Sequence, residues 1–466
     1  MALHPDRLFP VDADARSIAR RLYAEIAGLP ILSPHGHTDP FWYADNAPFP
    51  DPAHLFVVPD HYIFRMLYSQ GVPLEALGVP RVDGGPTETS GREIWRTFAK
   101  HYHLFRGTPS RLWFEHSLEA VFGIEERLTT ANAERLYDVL AEALTTEALR
   151  PRALYKRFGI EAIATTDCAL DDLSAHRRIQ DSGWAGRVLP TYRPDAVVDP
   201  ERPGFADALA AFLSLTGQPS TYAGYLEAHR LRRAYFKALG ATATDHGHPS
   251  AATADLSSGE AASLFETVLA GRADARACEL FRGQMLTEMA RMSLDDGLVM
   301  QIHPGSWRNH NPSLFHRFGF DKGADIPTQT DYVRALRPLL GAVGNEPGLT
   351  VILFTLDETA VSRELAPLAG HYPALRLGPP WWFFDSPEGM RRFRETATET
   401  CGFYNTVGFN DDTRAFLSIP ARHDMARRVD CAFLAGLVAT GRLDEDEAAE
   451  VATDLAYRLA KEAYKL

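Results

Sequence analysis

Four cysteines in 466 residues, Cys168, Cys278, Cys401 and Cys431, are too few and too scattered for a disulfide framework. They form no Cys-x-x-Cys pair, which leaves reduced, structural thiols in a cytoplasmic setting. Also missing is any uninterrupted apolar stretch long enough to span a bilayer. The N-terminal segment Met1-Ala2-Leu3-His4-Pro5-Asp6 has no apolar signal core. Positive charge is in deficit, with 48 Lys and Arg against 61 Asp and Glu and a net charge of −13. That balance excludes a general nucleic-acid binder, whose affinity needs a cationic surface. It leaves room for an anionic small substrate, because a few arginines inside a cleft outweigh a distant acidic surface. There is no low-complexity tract, no long linker and no short-period repeat.

What the chain does contain is ordinary for a soluble globular protein: 45% hydrophobic and 23% charged residues. The length suits two or three domains, or one α/β barrel with insertions. Ala15, Ile18, Ala19, Leu22 and Ile26 recur at helical spacing over 14–28, and Gly28 with Pro30 stops that helix. A first strand follows at Ile31-Leu32. Residues 40–151 are rich in aromatics and helical patterns, with 136–148 among the clearer helices, and read as a helical insertion serving as a lid. Apolar runs at 162–166, 187–191, 241–244, 298–302, 349–356, 374–377 and 403–409 then alternate with helical ones. With the first strand they make about eight, the pattern of a single (β/α)8 barrel domain over 1–466. Helices at 424–440 and 444–464 close it.

The first strand runs into His35-Gly36-His37. In an extended strand these two imidazoles share a face, and two imidazoles on one face can hold a divalent cation. In such barrels chemistry collects at the carboxyl ends of the strands. There the sequence offers Thr166-Asp167, Tyr192-Arg193, Asp245-His246-Gly247-His248, His303 through Asn309, Asp357-Glu358, Trp381-Trp382 and Asp411-Asp412-Thr413-Arg414. Each alone suits a cap or a turn; Asp245, for one, could be a helix N-cap. A metal-capable or anion-capable residue at almost every strand end is harder to explain that way. Two imidazoles and one carboxylate make an open mononuclear site. Asp412 is the best carboxylate, because closing a barrel sets its eighth strand beside its first. Arg193, Arg308 and Arg414 can each pair a carboxylate bidentately, so the expected substrate is anionic and rich in oxygen.

Taken in order, His35-Gly36-His37, Asp60-His61-Tyr62 with Arg65, Thr165-Thr166-Asp167, Arg193-Pro194-Asp195, Asp245-His246-Gly247, His303 with Gly305 and Arg308-Asn309, Trp381-Trp382-Phe383 and Asp412-Thr413-Arg414 resemble the uronate isomerase (glucuronate isomerase) family of the amidohydrolase superfamily. The series covers nearly the whole chain. The resemblance implies a distorted (β/α)8 barrel. It implies reversible conversion of D-glucuronate to D-fructuronate and of D-galacturonate to D-tagaturonate. It also implies one divalent ion, usually Zn2+, on His35, His37 and Asp412. Asp412 would be the principal base, with Tyr62 and Arg414 relaying protons or stabilising an enediolate. Arg193 and Arg308 would hold the uronate carboxylate, His303 and Asp245 the hydroxyls, and Trp381 would contact substrate. No partner is implied beyond the small hexuronate; neither nucleic acid nor membrane is expected, and nothing fixes or forbids a homo-oligomer.

Two departures stand out. Cys168 replaces a usual second acid, and the first motif runs on into Thr38-Asp39-Pro40. A mononuclear hydrolase of the superfamily and a non-catalytic sugar-acid binder are the alternatives. A binuclear hydrolase is disfavoured, because the fourth strand ends in Asp245-His246 rather than a bridging lysine and the sixth in Asp357 rather than histidine.

Overall fold

The computed structural model describes residues 3–466; Met1 and Ala2, the first residues of the N-terminal segment read above, lie outside it. The chain divides into two compact units. One comprises residues up to 161 with 307–326 and 411–452, the other 162–306, 327–410 and 453–466. No described helix is long and apolar enough to cross a membrane.

The first unit begins with a helix, Ala13–Ile26, whose N-cap Asp12 accepts the Ala15 N–H. Strand β1 (Ile31–Ser33) follows, with Ile31 N–H donating to Gly159 O at 2.9 Å. From Ser33 to Ile160 the described residues form helices and no strand. Asp39, Asp51 and Asp60 each cap one of these helices. Trp95, Phe98, Tyr102 and Phe114 meet edge-on or tilted at 5.4 to 6.1 Å between ring centroids, and give the insertion a core. The helix expected at 136–148 runs Ala133–Leu144. It ends early because the Thr145 and Thr146 hydroxyls turn back onto the Glu142 and Ala143 carbonyls, both at 2.7 Å.

In the second unit the strands are β2 (Ile160–Ala164, which begins at the unit's edge), β3 (Asp167–Cys168), β4 (Arg187–Leu189), β5 (Tyr192–Arg193), β6 (Ala243–His246), β7 (Val299–Ile302), two-residue β8 (Ser306–Trp307) and β9 (Ile326–Pro327) at its borders, β10 (Val351–Leu353) and β11 (Leu375–Leu377). Its main sheet has the order β11-β10-β7-β6-β5-β3, parallel at every pairing. β6, β7 and β10 are buried at every residue, as parallel strands covered on both faces require. Parallel strands in chain order, joined by helices, are the arrangement of a (β/α)8 fold.

The fold class is α/β, of the distorted (β/α)8 type, with a large helical insertion after its first strand. The distortion is local. The second strand breaks into β2 and β3 and the third into β4 and β5, yet the ladder continues through Thr165 N–H to Leu189 O and Asp167 N–H to Thr191 O, at 2.9 and 3.0 Å. The strand expected at 403–409 shrinks to one bridge, Leu377 to Thr406. Gly408 explains the loss. Its φ is +72°, outside the extended region, and a Cβ there would lie 2.5 Å from Leu455 O.

A cluster of Ala243, Val299, Ile352, Phe354, Val407 and Tyr464 is packed within this unit. Two amides beside it are satisfied through Tyr464 Oη, which accepts from Asn410 Nδ2 at 3.2 Å and donates to Gln301 Oε1 at 2.9 Å. On the helical side the guanidinium of Arg233 is fully buried and held by Asp296, with Nε to Oδ2 at 2.6 Å and Nη2 to Oδ1 at 2.9 Å. Asp296→Asn leaves that charge without its counter-ion. Urea unfolding should show a loss of about 3 kcal/mol; an unchanged midpoint would mean that Arg233 is neutralised another way.

Candidate active site

In the first unit the residues that open and close the sequence motifs meet. β1 ends at Ser33, so His35 and His37 lie beyond it in a loop. Strand alternation therefore does not put them on one face, as expected from their spacing. The loop is instead fastened by His37 N–H donating to Thr413 O at 3.1 Å. The imidazoles stand nearly perpendicular, with centroids 5.3 Å apart. His35 Nε2 lies 3.5 Å and His37 Nε2 3.1 Å from the same oxygen, Asp412 Oδ1. Ligand atoms around a four-coordinate zinc, at bonds of ~2.0–2.1 Å, sit about 3.3 Å apart. Each imidazole-to-carboxylate distance is thus that of two ligands on one divalent ion. Asp412 has φ of 39°, a left-handed conformation that aspartate tolerates.

Around this trio the same unit gathers further groups. His61 opens the helix His61–Tyr68. Burial holds its pKa well below the usual histidine range and the Arg414 charge adds to that, outweighing the opposite pull of Asp321 and Asp412. It is a neutral imidazole among charges. Arg414 pairs with Asp321 at 3.1 Å. Asp321 comes from a turn that packs closely on the His61 helix: a Cβ on Gly323, at φ +70°, would lie 2.7 Å from Arg65 Cβ.

Tyr62 is buried, its ring edge-on to Trp113 at 5.5 Å. The Arg422 guanidinium lies 3.6 Å over Trp113 and 5.4 Å from the Tyr62 centroid. That cation–π stack fixes the tyrosine on the helix its Asp60 cap begins. Arg308 is engaged by Asp325 at 3.0 Å, and Asp325 also accepts the Asn309 N–H at 2.8 Å.

The second unit holds its own cluster, made of four residues the sequence singles out. Asp245, on β6, is 1% exposed; its Oδ1 meets His303 Nδ1 at 2.6 Å, and its Oδ2 lies 3.5 Å from Arg193 Nε. Arg193 bonds more closely to Asp195, at 2.7 Å, which also accepts the Gly247 N–H at 3.1 Å. Burial alone would raise the Asp195 pKa, but Arg193 and His248 beside it hold it below the usual range. The His303 ring stacks on Phe354 with centroids 3.9 Å apart and meets Trp381 edge-on at 4.8 Å. Trp382 and Phe383, next in the chain, have φ of 27° and 61°. Two consecutive bulky residues in that region cost roughly 1–3 kcal/mol each and mark a turn held by its surroundings.

Several of these residues carry no role that the sequence reveals. His61 was signalled only by standing beside Tyr62. Asp321 and Asp325 lie in an irregular Gly- and Asp-rich segment, and no spacing within one sequence reveals which distant arginine such an acid pairs with.

Asp167, from the second-strand motif, is another. It is buried with no cation on it. Thr165 Oγ1 bonds its Oδ2 at 2.7 Å and also His176 Nε2 at 2.9 Å. Burial pushes its pKa up to about 7, against hydrogen bonds that pull down. The folded protein then keeps a proton that the unfolded chain releases near pH ~3.9. Its contribution to stability is fully present below that pH and is lost as pH rises toward 7. Asp167→Asn should remove this decline, so the variant gains on the wild type between pH 4 and 8 in thermal melts. Parallel curves would show a carboxylate already ionised in the fold.

Residues 13–464 match the family model of glucuronate isomerase. The chain belongs to the glucuronate isomerase family. A uronate isomerase from Brucella melitensis biotype 1 is 67% identical to it over 466 residues, all of both chains. The crystal structure of glucuronate isomerase from Caulobacter crescentus superposes with a TM-score of 0.98 at 60% identity, over 100% of this chain and 97% of that one. Uronate isomerase from Thermotoga maritima gives a TM-score of 0.92 at 27% identity, over the whole of both chains. The hexuronate isomerase fold is thus kept where most side chains have changed.

Proposed function

We propose that the protein is a cytoplasmic aldose–ketose isomerase that interconverts D-glucuronate with D-fructuronate and D-galacturonate with D-tagaturonate, using one divalent ion, Zn2+. What carries this reading is the meeting of two imidazoles on the Asp412 carboxylate, in a chain 67% identical over its length to a uronate isomerase.

The reaction moves hydrogen between C2 and C1 of the open-chain sugar. The C2 proton is weakly acidic until the neighbouring carbonyl is polarised, and an ion on His35, His37 and Asp412 would supply that polarisation. With Oδ1 turned to the imidazoles, Asp412 Oδ2 is the oxygen that takes the C2 proton and returns it at C1. Tyr62, fixed by its aromatic stack, and Arg414, set by Asp321, steady the enediolate oxygens and pass protons between them. His61, being neutral, can accept or donate a hydrogen bond at that edge without adding charge. Arg193 and Arg308 take the uronate carboxylate, Asp245 and His303 the hydroxyls, and Trp381 an apolar face of the sugar.

The test is a coupled assay of the zinc-loaded protein with D-glucuronate and D-galacturonate. Turnover of both is expected, and inactivity on both would end the reading. Run in heavy water, proton transfer washes deuterium into C2 or C1; full retention of hydrogen would replace the Asp412 step with a hydride shift.

A further inference from the structure

A cavity of about 520 Å³ opens in the first unit at the start of β1, the opposite end of that strand from His35. Its charged and polar walls are Tyr23, His116, Arg157, His423, Asp424 and Arg427. The volume is in the range of small-molecule sites. Nothing in the isomerisation uses it.

Its most telling wall is Arg427, only 6% exposed. Nη1 donates to Ala27 O at 3.0 Å, and Nη2 to Leu29 O and Pro30 O, both at 2.9 Å. These carbonyls are neutral. Among the described residues Nε has no hydrogen-bond partner, and no carboxylate pairs with the guanidinium. A buried cation without a counter-ion is costly, and burial draws the Arg427 pKa down accordingly.

The acids nearby are already committed. Asp424 receives Arg7 at 2.6 Å and Arg428 at 3.0 Å, and also accepts from the Tyr23 hydroxyl. Glu119 accepts the Leu3 N–H at 2.6 Å. At the rim Arg157 is exposed, with one bond of 2.9 Å to Ala120 O. Among the residues lining the cavity, Arg157 and Arg427 therefore face the single carboxylate of Asp424, which Arg7 and Arg428 already engage from behind. The excess is positive and part of it is desolvated, where an anion would be held most firmly.

We propose that this cavity binds a small oxyanion, a carboxylate or a phosphate, between Arg427 and Arg157, with His116 on the same wall. The site is separate from the substrate site. It borders the helix Ile419–Ala439, from which His423 Nε2 reaches Asp411 Oδ2 at 3.1 Å, one residue before Asp412.

The experiment is calorimetric titration of the full chain with inorganic phosphate and, separately, with succinate, at constant ionic strength. One or both should bind saturably, and which of them does so identifies the anion. Arg157→Met should weaken binding at least tenfold. Gly28→Trp should abolish it, since Gly28 lines the cavity and a Cβ there meets no heavy atom within 4 Å. Both positions are exposed, so both variants should fold, and melting curves check this. Arg193→Met should leave the binding unchanged. Absence of binding by either anion overturns the proposal. So does binding that survives both cavity variants, or that disappears in Arg193→Met.

Discussion

Asp412→Asn lowers hexuronate turnover by at least about 10³-fold, because it removes a proton acceptor and weakens an ion ligand in one step. The amide oxygen can still face His35 and His37, but the side chain no longer carries the charge that binds the ion or takes the proton. The substitution is clean for a backbone reason. Position 412 sits at φ 39°, and asparagine occupies that region as readily as aspartate. The ion-free variant should therefore melt where the ion-free wild type does. A β-branched residue there would add strain and confuse loss of chemistry with loss of fold. Full activity in Asp412→Asn would remove this residue from the reaction.

Stripping divalent ions with a chelator abolishes activity, and zinc restores it. The same titration should move the melting curve. A ligand that binds only the folded state adds about 4 kcal/mol when its free concentration is a thousand times Kd. His35→Ala should make melting insensitive to zinc, because one imidazole and one carboxylate remain where three groups met. If the wild type keeps full activity after exhaustive chelation, with metal analysis showing none bound, the ion has no part in the reaction.

The ends of the site were legible in the sequence for reasons that only partly hold. His35 and His37 do share Asp412, yet they do so from a loop pinned by Thr413 and not from an alternating strand. The apolar runs of β7 and β10 were readable because burial on both faces favours hydrophobic residues, Val299, Met300 and Ile302 in one and Val351, Ile352 and Leu353 in the other. The run at 403–409 has the same look and forms one bridge, since a single glycine conformation decides it. Arg193, Asp245, His303 and Trp381 stand at separate strand ends in the sequence, and the second unit packs them as one cluster. What stayed hidden were the partners: Asp321 for Arg414, Asp325 for Arg308 and the Arg422 stack on Tyr62. Such contacts join segments far apart in the chain, and neither periodicity nor propensity encodes them.

The proposed ion ligands, His35, His37 and Asp412, are split between the first tenth of the chain and its last eighth. A zinc finger gathers its ligands from a short span and folds around the metal as that span emerges. Here nothing resembling a binding site exists during synthesis until Asp412 has been made and brought back to the histidines. On that proposal loading is a late event that rewards a finished fold and cannot guide an unfinished one, so a cell short of the ion would accumulate an assembled, empty protein rather than a misfolded one.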